Sequence, residues 1–119
     1  MRRIIVIGAS PNPNRYSHKA VTALSKKDFE VYPIGIRAGT ISGIDILLDR
    51  PEIVNVHTIS VYLNPDNQTE YHKYFLQLKP KRVIFNPGAE NDALSTILRK
   101  EGIEVLEACT LVMLSTGQF

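Results

Sequence analysis

An α/β domain built on a parallel sheet is the fold class this chain predicts, and three observations predict it. Short apolar runs alternate with segments of helical periodicity. The first run, Ile4-Ile5-Val6-Ile7, is apolar at every position, which suits a strand buried on both faces. The runs then break at turn residues: Gly8, Pro33 with Gly35, Asn64-Pro65, and Asn86-Pro87-Gly88.

Taken in order, the first strand covers 4–7 and gives way to a turn-rich loop over 8–14. A helix is expected over 16–27, with Ala20, Val21 and Leu24 on one face and Ser17 as its cap. The second strand covers 29–34. The stretch 37–48 is irregular and punctuated by Gly39 and Gly43; Ile44, Ile46, Leu47 and Leu48 there suit a short strand or turn against the core. A third core strand lies at 58–61, inside a partly alternating segment. Asn64-Pro65 opens a helix running to about residue 78, since proline at the first helical position forgoes an N–H that has no partner anyway. A fourth strand covers 82–85. A helix over 91–100 follows, with Leu94, Ile97 and Leu98 inward and Gly102 as its stop. A fifth strand covers 103–106, and 109–114 is a short helix or an extended tail. Such alternation favours parallel pairing through right-handed crossovers. The expectation is a three-layer Rossmann-like fold whose five-stranded parallel sheet has the order 3-2-1-4-5.

The 119 residues suit one domain spanning 1–119, and a hydrophobic fraction of 44% suffices for a core. The net charge of +2 comes from 14 basic and 12 acidic residues of interspersed sign. The densest basic stretch, Lys79, Lys81 and Arg82, is broken by Pro80 and suits a solvated turn better than a nucleic-acid surface. Cys109 is the one cysteine, so neither an intrachain disulfide nor a thiolate metal site can be built. The apolar run after Arg2-Arg3 ends at Gly8, too short for a signal sequence or a membrane span. The expected compartment is the cytoplasm, with neither membrane nor nucleic acid as partner.

The strongest local signal is Val6-Ile7-Gly8-Ala9-Ser10-Pro11-Asn12-Pro13-Asn14, between the first strand and the first helix. Backbone amides at such a junction accept anions. Gly8, Ala9 and Ser10 are therefore expected at the start of the helix with amides facing a cleft, against the phosphates of a small nucleotide-containing cofactor. The motif is not G-x-G-x-x-G, because Ser10 and Pro13 replace its second and third glycines. Nor does an acid end the second strand, where Tyr32-Pro33-Ile34 stands. NAD is thereby disfavoured, and NADP keeps Arg37 as a partner for its 2′-phosphate. The loops 33–37, Asn64-Pro65 and Asn86-Pro87-Gly88 leave the same sheet edge and should converge on one crevice.

Catalytic residues are not evident. His18, His57 and His72 are far apart in sequence, and no H-E-x-x-H, Walker A or G-x-S-x-G pattern occurs. Cys109 is read as a small buried hydrophobe.

The Gly8 segment together with Val31-Tyr32-Pro33, Gly43-Ile44 and Asn64-Pro65 resembles the small stand-alone CoA-binding-domain proteins, themselves similar to the N-terminal domain of the succinyl-CoA synthetase alpha subunit. The resemblance spans nearly the whole chain. It implies CoA or acyl-CoA as ligand, with Gly8, Ala9 and Ser10 facing the pyrophosphate, Asn14 and Arg15 beside it, and Lys19 meeting a phosphate. Pro33 would border the adenine and ribose, with Arg37 nearby. Leu63, Asn64 and Pro65 would line the cleft, as would Asn86, Pro87 and Gly88. It also implies binding without turnover by this chain alone. The alternatives are a small NADP-dependent oxidoreductase and an interaction protein that has lost its ligand.

Overall fold

The computed structural model describes all residues, Met1–Phe119. In chain order the elements are β1 (Arg2–Ile7), α1 (Tyr16–Ser25), β2 (Phe29–Ile34), β3 (Thr40–Ile41), β4 (Ile44–Asp45), β5 (Val56–Val61), α2 (Pro65–Gln68), a 3₁₀ turn (Thr69–Tyr71), α3 (His72–Leu78), β6 (Arg82–Phe85), α4 (Asp92–Lys100), β7 (Glu104–Glu107) and α5 (Thr110–Ser115). Five strands make one sheet in the order β2-β1-β5-β6-β7, and every neighbouring pair is parallel. The strands β3 and β4 form a separate antiparallel hairpin.

The α/β class and the five-stranded parallel sheet are as expected; the strand order is not. The third core strand, β5, lies on the far side of β1 from β2, so the five run 2-1-3-4-5 rather than 3-2-1-4-5. Burial explains the difference. All of β5 except His57 is buried, and such a strand satisfies its backbone best between two neighbours. The position beyond β2 is held by Leu47 alone, in a single parallel bridge to Ile34. Its N–H donates to the Pro33 carbonyl at 2.8 Å, and its carbonyl accepts from the Gly35 N–H at 3.1 Å. Leu48, Asp49 and Arg50 then face solvent, which ends the pairing. Pro33 fits this edge because a residue's N–H and C=O point to the same side of a strand. The missing N–H faces outward with the carbonyl, and the ladder to β1 loses nothing.

Alternation sorts the strand side chains into two cores. Ile5, Ile7, Ile59, Val61, Val83 and Phe85 meet Phe75 of α3 and Leu94 and Leu98 of α4. Ile4 and Val6 meet Val21 and Leu24 of α1 and Leu114 of α5. The result is three layers.

Three helices differ from expectation: in α4, Leu94 and Leu98 face inward but Ile97 is 42% exposed. Helix α1 is capped at Arg15, not Ser17, which is buried in the first turn. The single helix expected from 64 to 78 is interrupted by the 3₁₀ turn. Gln68, Tyr71 and Tyr74 are buried three residues apart, a spacing that three residues per turn keeps on one face. Asn64 and Pro65 open α2 as expected, the Asn64 Oδ1 accepting from the Asn67 N–H at 2.9 Å.

Candidate functional site: a cleft at the carboxyl edge of the sheet

The loops after β1, β2 and β5 converge on a cleft of about 600 Å³, and Pro87 of the loop after β6 closes it. The β1 loop is shaped by β2. The carbonyl of Ile34 accepts from both the Gly8 and Ala9 N–H groups at 2.9 Å. Gly8 takes φ +89°, and its Cα faces the Leu63 side chain. At Gly35 a Cβ would lie 2.2 Å from the Ala9 carbonyl oxygen, so only glycine lets the two loops touch. The rest of the loop is tied by local bonds: the Asn12 N–H donates to Ser10 Oγ at 3.1 Å and the Asn14 N–H to Asn12 Oδ1 at 3.0 Å. The His18 ring bonds the Ser10 carbonyl through Nδ1 at 2.9 Å.

This corrects the expectation for the loop amides. Those of Gly8 and Ala9 are spent on Ile34 and do not face the cleft. The Ser10 N–H has no partner, and further free donors lie at the start of α1. The first helical bond runs from the Lys19 N–H to the Arg15 carbonyl, at 3.2 Å. The N–H groups of Tyr16, Ser17 and His18 therefore have no partner, and no side chain caps them. Arg15, Tyr16 and Ser17 all line the cleft. The anion-accepting geometry of a helix N-terminus is thus present, several residues later than the glycine turn.

Arg15 and Arg37 are the cations of the lining, and Glu70 is its carboxylate. Glu70 is already engaged by Arg50, at 3.3 Å, while Arg15 and Arg37 form no ion pair. The field in the cleft therefore favours a negative ligand. Tyr16 and Ile36 also line it, 70% and 80% exposed. Tyr62 forms part of the wall, with its hydroxyl buried and lacking a hydrogen-bond partner. Burial, with Cys109 beside it, pushes this phenol up to about 12, opposed by the Thr110 and Ser60 hydroxyls, which lie near it without reaching hydrogen-bond geometry.

Of the residues expected at the site, Gly8, Ala9, Ser10, Arg15, Arg37, Leu63 and Pro87 line this cleft, and the other seven do not. Asn14 sits on the exposed outer part of the β1 loop. Lys19 lines a different groove, between α1 and α5, with its ammonium 5.4 Å from the Tyr16 ring centroid. Pro33 is buried within β2. Asn64 and Pro65 form the start of α2. Gly88 turns the chain at φ +91° and donates its N–H to Glu90 at 2.8 Å.

Asn86 is 1% exposed and fully used by the protein itself. Its Nδ2 donates to Ser60 Oγ and to the Val61 carbonyl, both at 2.9 Å, and its Oδ1 accepts from the Thr110 N–H at 2.8 Å.

Tyr62, Glu70 and Tyr71 were not singled out from the sequence, whereas Gly35 reads as the turn closing the second strand, within the 33–37 loop expected at the crevice. Gln68, which lies behind them, carried no local signal. It is fully buried, donates to the Leu63 and Ala89 carbonyls at 2.8 and 2.6 Å, and accepts from Asn91 at 3.0 Å. Asn91 in turn caps α4. Gln68 thereby joins the β5 and β6 loops and sets one wall of the cleft.

No group of three or more His, Cys, Asp or Glu side chains is placed to hold a metal ion, and no helix is long and apolar enough to cross a membrane. The CoA-binding domain family matches residues 2–115, and the chain belongs to that family. No curated protein matches it. Among solved structures, a crystal structure of an uncharacterised protein is 46% identical, with TM-score 0.97, covering 100% of this chain and 98% of the other. A conserved hypothetical protein from Pyrococcus furiosus is 28% identical, with TM-score 0.80, covering 94% and 98%. A protein from Thermus thermophilus at 23% identity, with TM-score 0.82 and coverage of 99% and 90%, shares the fold.

Proposed function

We propose that the cleft binds CoA or an acyl-CoA non-covalently and that this chain alone does not turn it over. The observation that carries the reading is the set of partnerless amides at Tyr16, Ser17 and His18, flanked by the unpaired Arg15 and Arg37, in a chain of the CoA-binding domain family. These donors suit a ligand that carries both a pyrophosphate and a separate phosphate. The amides and Arg15 would hold the pyrophosphate, and Arg37, on the opposite loop, would meet the 3′-phosphate. Tyr16 and Ile36 offer the exposed apolar surface on which an adenine stacks. Gly8 and Ala9 serve as the floor rather than as donors, while the Ser10 N–H, also without a partner, joins the donor set.

Titration calorimetry with CoA, acetyl-CoA, NAD and NADP tests this. CoA or acetyl-CoA should bind more tightly than either dinucleotide. Arg15→Gln and Arg37→Gln should each weaken CoA about tenfold, the value of one charge-assisted bond. Clear binding of NADP without CoA at millimolar concentration would transfer the site to an oxidoreductase, and no binding of any of them would leave an interaction protein.

A further inference from the structure

The amino edge of the sheet, opposite the cleft, holds a second cavity of about 760 Å³. Residues from separate elements line it: Arg2 at the start of β1, His57 near the start of β5, Lys79 at the end of α3, and Lys81 just before β6. One carboxylate, Glu52, is among the lining residues. Arg2, Lys79 and Lys81 take part in no ion pair, the two ion pairs of the protein being Arg3–Glu30 and Arg50–Glu70. Parallel strands of six residues separate this cavity from the cleft by roughly 20 Å of sheet.

We infer that this cavity is a second anion site, which takes a small phosphorylated metabolite bearing two or more negative charges. Three exposed cations without ion-pair partners and an imidazole line a space of metabolite size, against the carboxylate of Glu52 in the lining and that of Glu104 nearby. The charges repel one another in the empty protein, and a polyvalent oxyanion is the counterpart that relieves them. His57 registers the field. Burial comes first and the positive charges of Arg2, Arg82 and Lys81 next in holding its imidazole below the usual range, with Glu104 opposing them. The backbone supplies an independent sign. Lys79 sits at the helix end in the left-handed region, φ +47°, where glycine is the unstrained choice. A lysine there carries an ammonium to the cavity at the cost of strain.

Inorganic pyrophosphate is the probe, followed by calorimetry and by NMR titration of the His57 ring. Arg2, Glu52, Lys79, Lys81, Arg82 and Glu104 are the charged groups around that ring. Bound pyrophosphate should raise the His57 pKa, and Lys81→Gln should weaken binding about tenfold. Lys79→Gly should raise Tm while lowering pyrophosphate affinity, since the strain and the charge leave together. A double variant Arg15→Gln/Arg37→Gln in the cleft should leave the His57 response intact, which separates this site from the one proposed for CoA. A His57 titration unmoved by saturating pyrophosphate would overturn the inference. So would Lys79→Gly raising Tm with affinity unchanged, or a response that disappears in the cleft variant.

Discussion

The two faces of the sheet are built on different principles. The face under α3 and α4 is apolar: 18 buried residues pack as one cluster there, centred on Phe75 and Phe85. The face under α1 and α5 has 9 such residues, and polar side chains take the remaining space. Thr58 and Ser60 of β5 point to this side, with Arg82 of β6. Ser60 and Thr110 share a hydrogen bond of 2.8 Å, Asn86 joins both, and Arg82 donates to Thr58 at 2.8 Å and to the Phe119 carbonyl at 2.9 Å. The Arg82 guanidinium also lies 4.4 Å over the Phe119 ring. One face is held by area removed from water, which is indifferent to direction. The other is held by donors and acceptors that must find specific partners. The lesson concerns function as well as stability: on such a face, a buried polar residue near the cleft belongs to the fold before it belongs to a ligand.

The largest expected effect is on the apolar side. Phe75→Ala removes a fully buried ring from the larger cluster and should cost about 3–5 kcal/mol in urea unfolding. Asn86→Ala is the matching test of the polar face. It leaves the Thr110 N–H without its acceptor and takes one partner from Ser60. A cost of about 2–3 kcal/mol is expected. Because Asn86 does not line the cleft, CoA affinity measured on the folded variant should be unchanged. An Asn86→Ala protein of ordinary stability but weakened CoA binding would reverse the assignment and return Asn86 to the site.

The same contrast explains what was legible in the sequence. The apolar face announces itself through continuous runs such as Ile4–Ile7 and through helical spacing at Leu94 and Leu98, so the α/β class, the five core strands and the converging loops could be read. Strand order could not, because the choice between an edge and a central place for residues 56–61 depends on which neighbours are available, not on the segment alone. At the cleft, Gly8 marked the right junction, yet the free amides belong to Ser10, Tyr16, Ser17 and His18 rather than to Gly8 and Ala9. The Ile34 carbonyl that consumes the Gly8 and Ala9 donors is 26 and 25 residues away in sequence, and no local pattern records such a bond. Asn86 and Gln68 illustrate the converse. Polar residues in or beside loops resemble ligand groups until their partners, most of them distant in sequence, are seen.

The smallest effect separates the two faces most finely, through one tyrosine on each. Tyr74 belongs to the apolar cluster and donates to the Pro51 carbonyl at 2.6 Å. Tyr62 packs against the other core, and its buried hydroxyl has no hydrogen-bond partner. Burial pushes both phenols up to about 12, from an ordinary value of 10.0. The unfolded chain therefore gives up these protons first as pH rises. The stability linked to them is complete below pH 10 and is lost as pH rises towards 12. Urea unfolding at pH 8 and pH 11 should show the loss in the parent protein, less of it in Tyr62→Phe or Tyr74→Phe, and least in the double variant. At pH 8 the two single variants should part. Tyr74→Phe discards a hydrogen bond and should cost about 1 kcal/mol, whereas Tyr62→Phe removes an unsatisfied group and should be neutral or slightly stabilising. Equal costs at pH 8 would mean that the Tyr62 hydroxyl has a partner after all, and that the polar network on its face extends to the cleft wall.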